Sequence, residues 1–173
     1  MAEPYVRLLT LLLEGAEIAN FEYWAEFIIR LQRDESTTRS ALREWFGERR
    51  IPPLFCVRLR GRWWIGSEEE WSTSLKQFPF KGVPPIPLEA PLQASTLMTM
   101  LGLGISSLRV NESGGLTLIL SDGRVVNIQG TNPEWAESWF LELPIDDVDR
   151  DQWSLICDSE GHITGTYPQS AIS

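Results

Sequence analysis

Apolar residues near the start of the chain recur at helical spacing. Tyr5, Leu8, Leu9, Leu12 and Leu13 make one stripe, and Phe21, Trp24, Phe27, Ile28 and Leu31 make a second behind Asn20, a residue suited to cap a helix. Ala41, Leu42, Trp45 and Phe46 make a third behind Ser36 and Thr37, and Pro52 and Pro53 stop it. Three helices are therefore expected before residue 52. From Phe55 to Ile65 the period changes to two: Phe55, Val57 and Leu59 alternate with polar neighbours ahead of Gly61, which predicts a hairpin turning at that glycine. The acidic segment Glu68 to Trp71 starts a further helix.

Prolines 79, 84, 85, 87 and 91 disfavour both helix and central strand, so residues 79–104, with the uncharged stretch that follows, read as an extended connector. Beyond it the chain reads as strands: Ser107 to Asn111, Leu116 to Gln129 as a hairpin, Trp139 to Leu143, Trp153 to Cys157 and Ile163 to Tyr167. The hairpin register can be derived. A two-residue Asp122-Gly123 loop would set Leu118 opposite Asn127 and waste the apolar face. A three-residue Ser121-Asp122-Gly123 loop, with Gly123 left-handed, sets Leu118 opposite Val126 and Leu116 opposite Ile128. The fold class expected is α+β, with a helical region and β-hairpin over 1–78, the connector over 79–104, and an antiparallel β-meander over 105–173.

Composition refines this picture. With 173 residues and 43% hydrophobic content, the chain can bury a substantial core. The apolar run Leu8 to Leu13 is too short, and Ala90 to Leu108 too polar and broken, for a signal peptide or a membrane span. Cys56 and Cys157 show no metal-binding or redox spacing and read as reduced thiols, which points to the cytoplasm.

Charge is divided unevenly. Residues 1–81 carry 12 Lys+Arg against 12 Asp+Glu, whereas residues 82–173 carry 3 against 12, the whole of the net charge of -9. Such asymmetry points to a basic partner. The densest acidic run is Asp146, Asp147, Asp149 and Asp151, relieved only by Arg150. Asp147, Asp149, Asp151 and Asp158 match part of a calcium-loop spacing, but Gln152 stands where the loop needs glycine; a solvated acidic loop and a partner-binding surface remain, and the charge asymmetry favours the surface. Trp63 and Trp64 are adjacent, so on a strand they face opposite sides, and one of them needs cover from the connector, a ligand or a partner.

Catalytic and cofactor chemistry finds little support. His162 is the only histidine, follows a turn, and has no GxSxG nucleophile elbow to serve. Gly102-Leu-Gly104 lacks the third glycine of a dinucleotide fingerprint. No enzyme activity and no cofactor are expected. The basic run Arg39, Arg43, Arg49, Arg50, Arg58, Arg60 and Arg62, on three helices and a hairpin, has the element order of a winged helix. The attached acidic half would repel nucleic acid, and the alternative is a basic face that partners the chain's own carboxylates.

The segment Gly115 to Gly130, followed by Glu137-Ser-Trp-Phe-Leu-Glu-Leu143, resembles small bacterial β-rich domains of uncharacterised families, some of which are immunity proteins of toxin systems. The resemblance implies a cytosolic antidote that occludes a toxin, and it transfers no catalytic residue. The function expected is therefore non-enzymatic binding of a basic protein, without membrane or nucleic acid. A nucleic-acid-binding regulator, or a ligand-binding module or hydrolase near Trp63 and Trp64, stands as the alternative.

Overall fold

A computed structural model describes residues 3–33, 54–144 and 153–167. They form ten strands in two antiparallel sheets and three short helices, so the α+β expectation with a three-helix N-terminus gives way to a mostly β protein. The first stripe is a helix as expected: in α1 (Glu3–Leu13), Leu8, Leu9, Leu12 and Leu13 are all buried. The second is not. Residues 17–32 fold as a hairpin of β1 (Glu17–Tyr23) and β2 (Phe27–Gln32), joined through Trp24, Ala25 and Glu26. Its apolar residues satisfy both periods, and the strand period wins because Phe27, Ile29 and Leu31 then all face the core while Ile28 and Arg30 face out. The third predicted helix lies outside the described residues.

β3 (Leu54–Leu59) and β4 (Trp63–Ile65) do not pair with each other, which corrects the hairpin expected about Gly61. The larger sheet runs in the order β1, β2, β3, β8 (Glu137–Glu142), β9 (Ser154–Asp158), β10 (Ile163–Thr166). The smaller runs β4, β7 (Val125–Ile128), β6 (Leu116–Leu120), β5 (Ile105–Val110). The expected single meander is thus divided into β5–β7 and β8–β10, and strands from the first 65 residues complete each sheet.

At Gly61 the chain passes from one sheet to the other. The amides of Arg60 and Gly61 both donate to the Ser138 carbonyl, and the Gln129 amide donates to the Arg62 carbonyl, 2.9 Å away. The Ser138 hydroxyl donates to the Gln129 carbonyl and occupies the space a side chain at residue 61 would need. Glycine is required here for close approach rather than for a turn.

The β6–β7 hairpin has the derived register: Leu118 faces Val126, Leu116 faces Ile128 and Thr117 faces Asn127, with Gly123 at φ +88°. Glu68 begins α2 (Glu68–Gln77), where Ser67 and Glu70 form a reciprocal capping box. The 79–104 segment contains α3 (Ala90–Met98), with Pro91 in its first turn, where a missing N–H costs nothing.

One core joins both sheets and α1, with Phe55, Trp63, Ile105, Leu120 and Trp139 among its buried residues. α1 packs against β5 and β10. Its C-terminal carbonyls are held by Arg33, whose guanidinium donates to the carbonyls of Leu11 (3.0 Å), Leu12 and Glu14 (2.8 Å). A buried cation at the negative end of a helix satisfies groups that would otherwise lack partners.

Candidate partner-binding surface

Both sheet crossings lie at the same end of the larger sheet, beside the β9–β10 turn, and this end gathers the polar chemistry. The buried Asn132 ties two loops together. Its amide donates to the Ser159 carbonyl (3.1 Å), its side-chain amide donates to the Glu137 carbonyl (3.3 Å), and its side-chain oxygen accepts from the Glu134 amide (3.1 Å). The Ser159 amide returns a bond to the Ala136 carbonyl, and Thr131 bridges Glu160. Loops 131–136 and 158–162 therefore form one surface carrying Glu134, Asp158 and Glu160, with Trp135 half exposed and neither Lys nor Arg on either loop.

Asp158 organises its own turn. One carboxylate oxygen accepts the amides of Glu160 and His162, each at 2.9 Å, and the other lies 3.2 Å from His162 Nδ1. The His162 amide above all, then the other turn contacts, hold its carboxyl below the usual range. His162 and Glu160 are well exposed and 3.6 Å apart. An aspartate already committed to backbone amides beside a solvent-exposed imidazole is a turn-stabilising pair.

Next to this surface, Arg60 and Arg58 form an ion-pair lattice that joins β3 and β8 to Glu26 in the β1–β2 turn. Arg60 reaches Glu26 and Glu137, each at 2.7 Å, and Arg58 reaches Glu26 and, at 3.4 Å, Glu142. The Arg60 guanidinium lies 4.8 Å from the Phe140 ring centre and 5.7 Å from that of Trp135. Arg62 pairs with Glu68 and Glu89. These three arginines thus meet carboxylates of their own chain, and with β3 and β4 in different sheets Arg60-Gly-Arg62 is no wing tip. Arg39, Arg43, Arg49 and Arg50 lie outside the described residues.

Trp63 is a core residue, 5.3 Å from Phe27 and 6.4 Å from Trp71 between ring centres, and its carbonyl accepts from Gln93. Trp64 is covered by its own neighbour, the Arg62 guanidinium lying 5.0 Å from its ring centre. Asp146, Asp147, Asp149 and Asp151 lie outside the described residues. Among the described residues the exposed tryptophans are instead Trp24 (79%) and Trp135 (51%). The signal for Trp135 was its setting in the turn Asn-Pro-Glu-Trp-Ala, where no apolar stripe calls for a buried indole; Trp24, counted in the second helical stripe, is instead turned out to solvent between β1 and β2.

Among the described residues no group of three His, Cys, Asp or Glu side chains converges to hold a metal. The cleft between α1 and β9, lined by Leu8, Leu12, Phe55, Leu141 and Trp153, has room for about one water molecule. No described helix is long and apolar enough to cross a membrane. Comparison with protein-family models, with curated proteins and with solved structures finds no match to this chain.

Proposed function

We propose that this protein acts by binding a basic protein, in the manner of a cytosolic immunity-type inhibitor that occludes a cationic toxin. The observation that carries the reading is the joined surface of loops 131–136 and 158–162. It sets Glu134, Asp158 and Glu160 on one surface with the half-exposed indole of Trp135, with neither Lys nor Arg on either loop. The Arg60 guanidinium already lies 5.7 Å from the centre of this ring, so the carboxylates offer a partner's Lys or Arg an ion pair, and the exposed part of the indole offers its aliphatic stem an apolar contact. The amide bonds of Asn132 and Ser159 fix both loops before contact, which lowers the ordering cost of association. The charge imbalance of the sequence supports the same reading, because long-range attraction speeds encounter with a cationic surface.

The nucleic-acid alternative loses support from the pairing of Arg58, Arg60 and Arg62 with glutamates. A ligand site at Trp63 and Trp64 loses support from the burial of one and the covering of the other.

The test is affinity capture from source lysate at about 50 and 500 mM salt, with Trp135→Ala/Glu134→Gln/Glu160→Gln as the comparison. A basic protein retained by wild type at low salt, released at high salt and bound at least tenfold more weakly by the triple variant is the expected result. Equal capture by wild type and variant, independent of salt, overturns the assignment.

A further inference from the structure

We infer that the loop between α2 and α3 is a second contact surface, built to dock at a lipid interface rather than against water. Four of its side chains are large, apolar and exposed: Phe80 (69%), Val83 (70%), Ile86 (46%) and Leu88 (55%). Scattered exposed apolar residues need no explanation, but four within nine residues of one loop do.

The loop is shaped as well as apolar. The Gly82 amide donates to the Leu88 carbonyl (3.2 Å) and the Ile86 amide to the Val83 carbonyl (2.8 Å), closing the segment on itself. A side chain at residue 82 would collide with the carbonyls of Ile86 and Pro87, so glycine is what permits this closure. Pro84, Pro85 and Pro87 have no amide hydrogen. Residues 82–88 carry no charged or hydrogen-bonding side chain, and with two amides bonded internally only those of Val83 and Leu88 remain. A loop with few donors and two internal bonds loses less than an open one when its side chains leave water, and its remaining carbonyls are served at the hydrated headgroup level, where such a loop docks. Protein-binding hot spots, by contrast, favour Trp, Tyr and Arg, and this loop has none.

The charges nearby select the kind of surface. The chain has only two lysines, Lys76 and Lys81, and both stand at the base of this loop. Lys81 Nζ donates to the carbonyls of Leu75 and Phe78 at the end of α2, so its charge is fixed beside Phe80. Lys76 is exposed on the last turn of the same helix. The adjacent carboxylate is turned away, since Glu89 accepts from Trp71 Nε1 (2.9 Å) and pairs with Arg62. The local balance is therefore positive on a chain of net charge -9. Apolar side chains flanked on the α2 side by two lysines fit a bilayer headgroup region containing anionic lipid.

Cosedimentation with vesicles of phosphatidylcholine alone, and of phosphatidylcholine with about one-third phosphatidylserine, tests this. Wild type should sediment with the vesicles, more strongly with the anionic ones. Val83→Asp/Ile86→Asp should bind at least tenfold more weakly while keeping the wild-type far-UV spectrum and urea midpoint, because both side chains are exposed. Lys76→Glu should remove most of the preference for anionic vesicles. Wild type that stays in the supernatant with both vesicles overturns the proposal, as does unchanged binding by the double variant. So does a wild type that self-associates or captures a protein only while Val83 and Ile86 are intact, since the loop's occupant would then be a protein.

Discussion

Arg60 Nη1 lies 2.7 Å from Glu137 Oε2, joining a residue of the charge-balanced half of the chain to one of the acidic half across 77 positions. Arg58 does the same with Glu142, and Arg62 with Glu89. Part of the acidic surplus is therefore the counter-charge of the chain's own arginines. Of the carboxylates at the candidate surface, Glu134 and Glu160 face no Lys or Arg of their own loops.

The centre of this lattice is Glu26, and it makes stability depend on acid. Burial acts to raise its carboxyl, but the bonds from Arg58 and Arg60 outweigh burial and hold it below 4.5. A depressed folded value contributes stability that is fully present above about pH 4.5 and is lost as pH falls through the folded value. Glu26→Gln should cost about 1 kcal/mol at pH 7, since the side chain is largely shielded and serves two guanidinium groups. The deficit should shrink as pH falls below 4.5 and through the lowered folded value. Urea midpoints for both proteins between pH 3 and 7 check this; a deficit unchanged with pH shows that the loss is one of packing rather than charge.

Cys157 should be chemically silent in the folded protein. It is buried, its Sγ donates to the Gly130 carbonyl (3.2 Å), and burial together with the nearby Asp158 pushes its pKa up to about 12. The thiolate is the reacting species, so native protein at pH 8 should leave Cys157 unmodified by iodoacetamide for hours, while protein in urea is alkylated within minutes. Peptide mapping by mass reads the result. The same shift contributes stability that is present below pH 9 and lost as pH rises from 9 toward 12.

Gly130→Ala should be the more damaging of two glycine substitutions. A side chain at 130 meets the backbone of Ser113, Gly114 and Gly115, which cannot yield, and its carbonyl serves Cys157. A loss of roughly 3 kcal/mol or more is expected. Gly123→Ala meets no atom and suffers only the positive φ, about 1 kcal/mol. Chemical denaturation ranks the two, and a reversed order would mean that the crossing at 129–131 is looser than its contacts indicate.

What the sequence by itself determined is local. Leu8 to Leu13 read as a helix because one period fits them, and the Leu118–Val126 register followed because one loop length alone keeps the apolar face together. The acidic segment from Glu68 marked a helix start, and the Ser67–Glu70 box that caps it joins residues only three apart. Tertiary structure decided what local rules left degenerate. Residues 21–31 carry apolar side chains that satisfy both a helix and a strand, and only pairing with β3 selects the strand. Gly61 looked like a hairpin turn, but its amide is claimed by Ser138, a residue the local sequence does not contain. The candidate surface was invisible for the same reason. Glu134 and Trp135 belong to one turn and Glu160 to another, and it is the hydrogen bonds of Asn132 and Ser159 that make them neighbours. Trp63 drew notice as one of an adjacent pair, yet its burial depends on Phe27 and Trp71, which only the folded chain brings beside it.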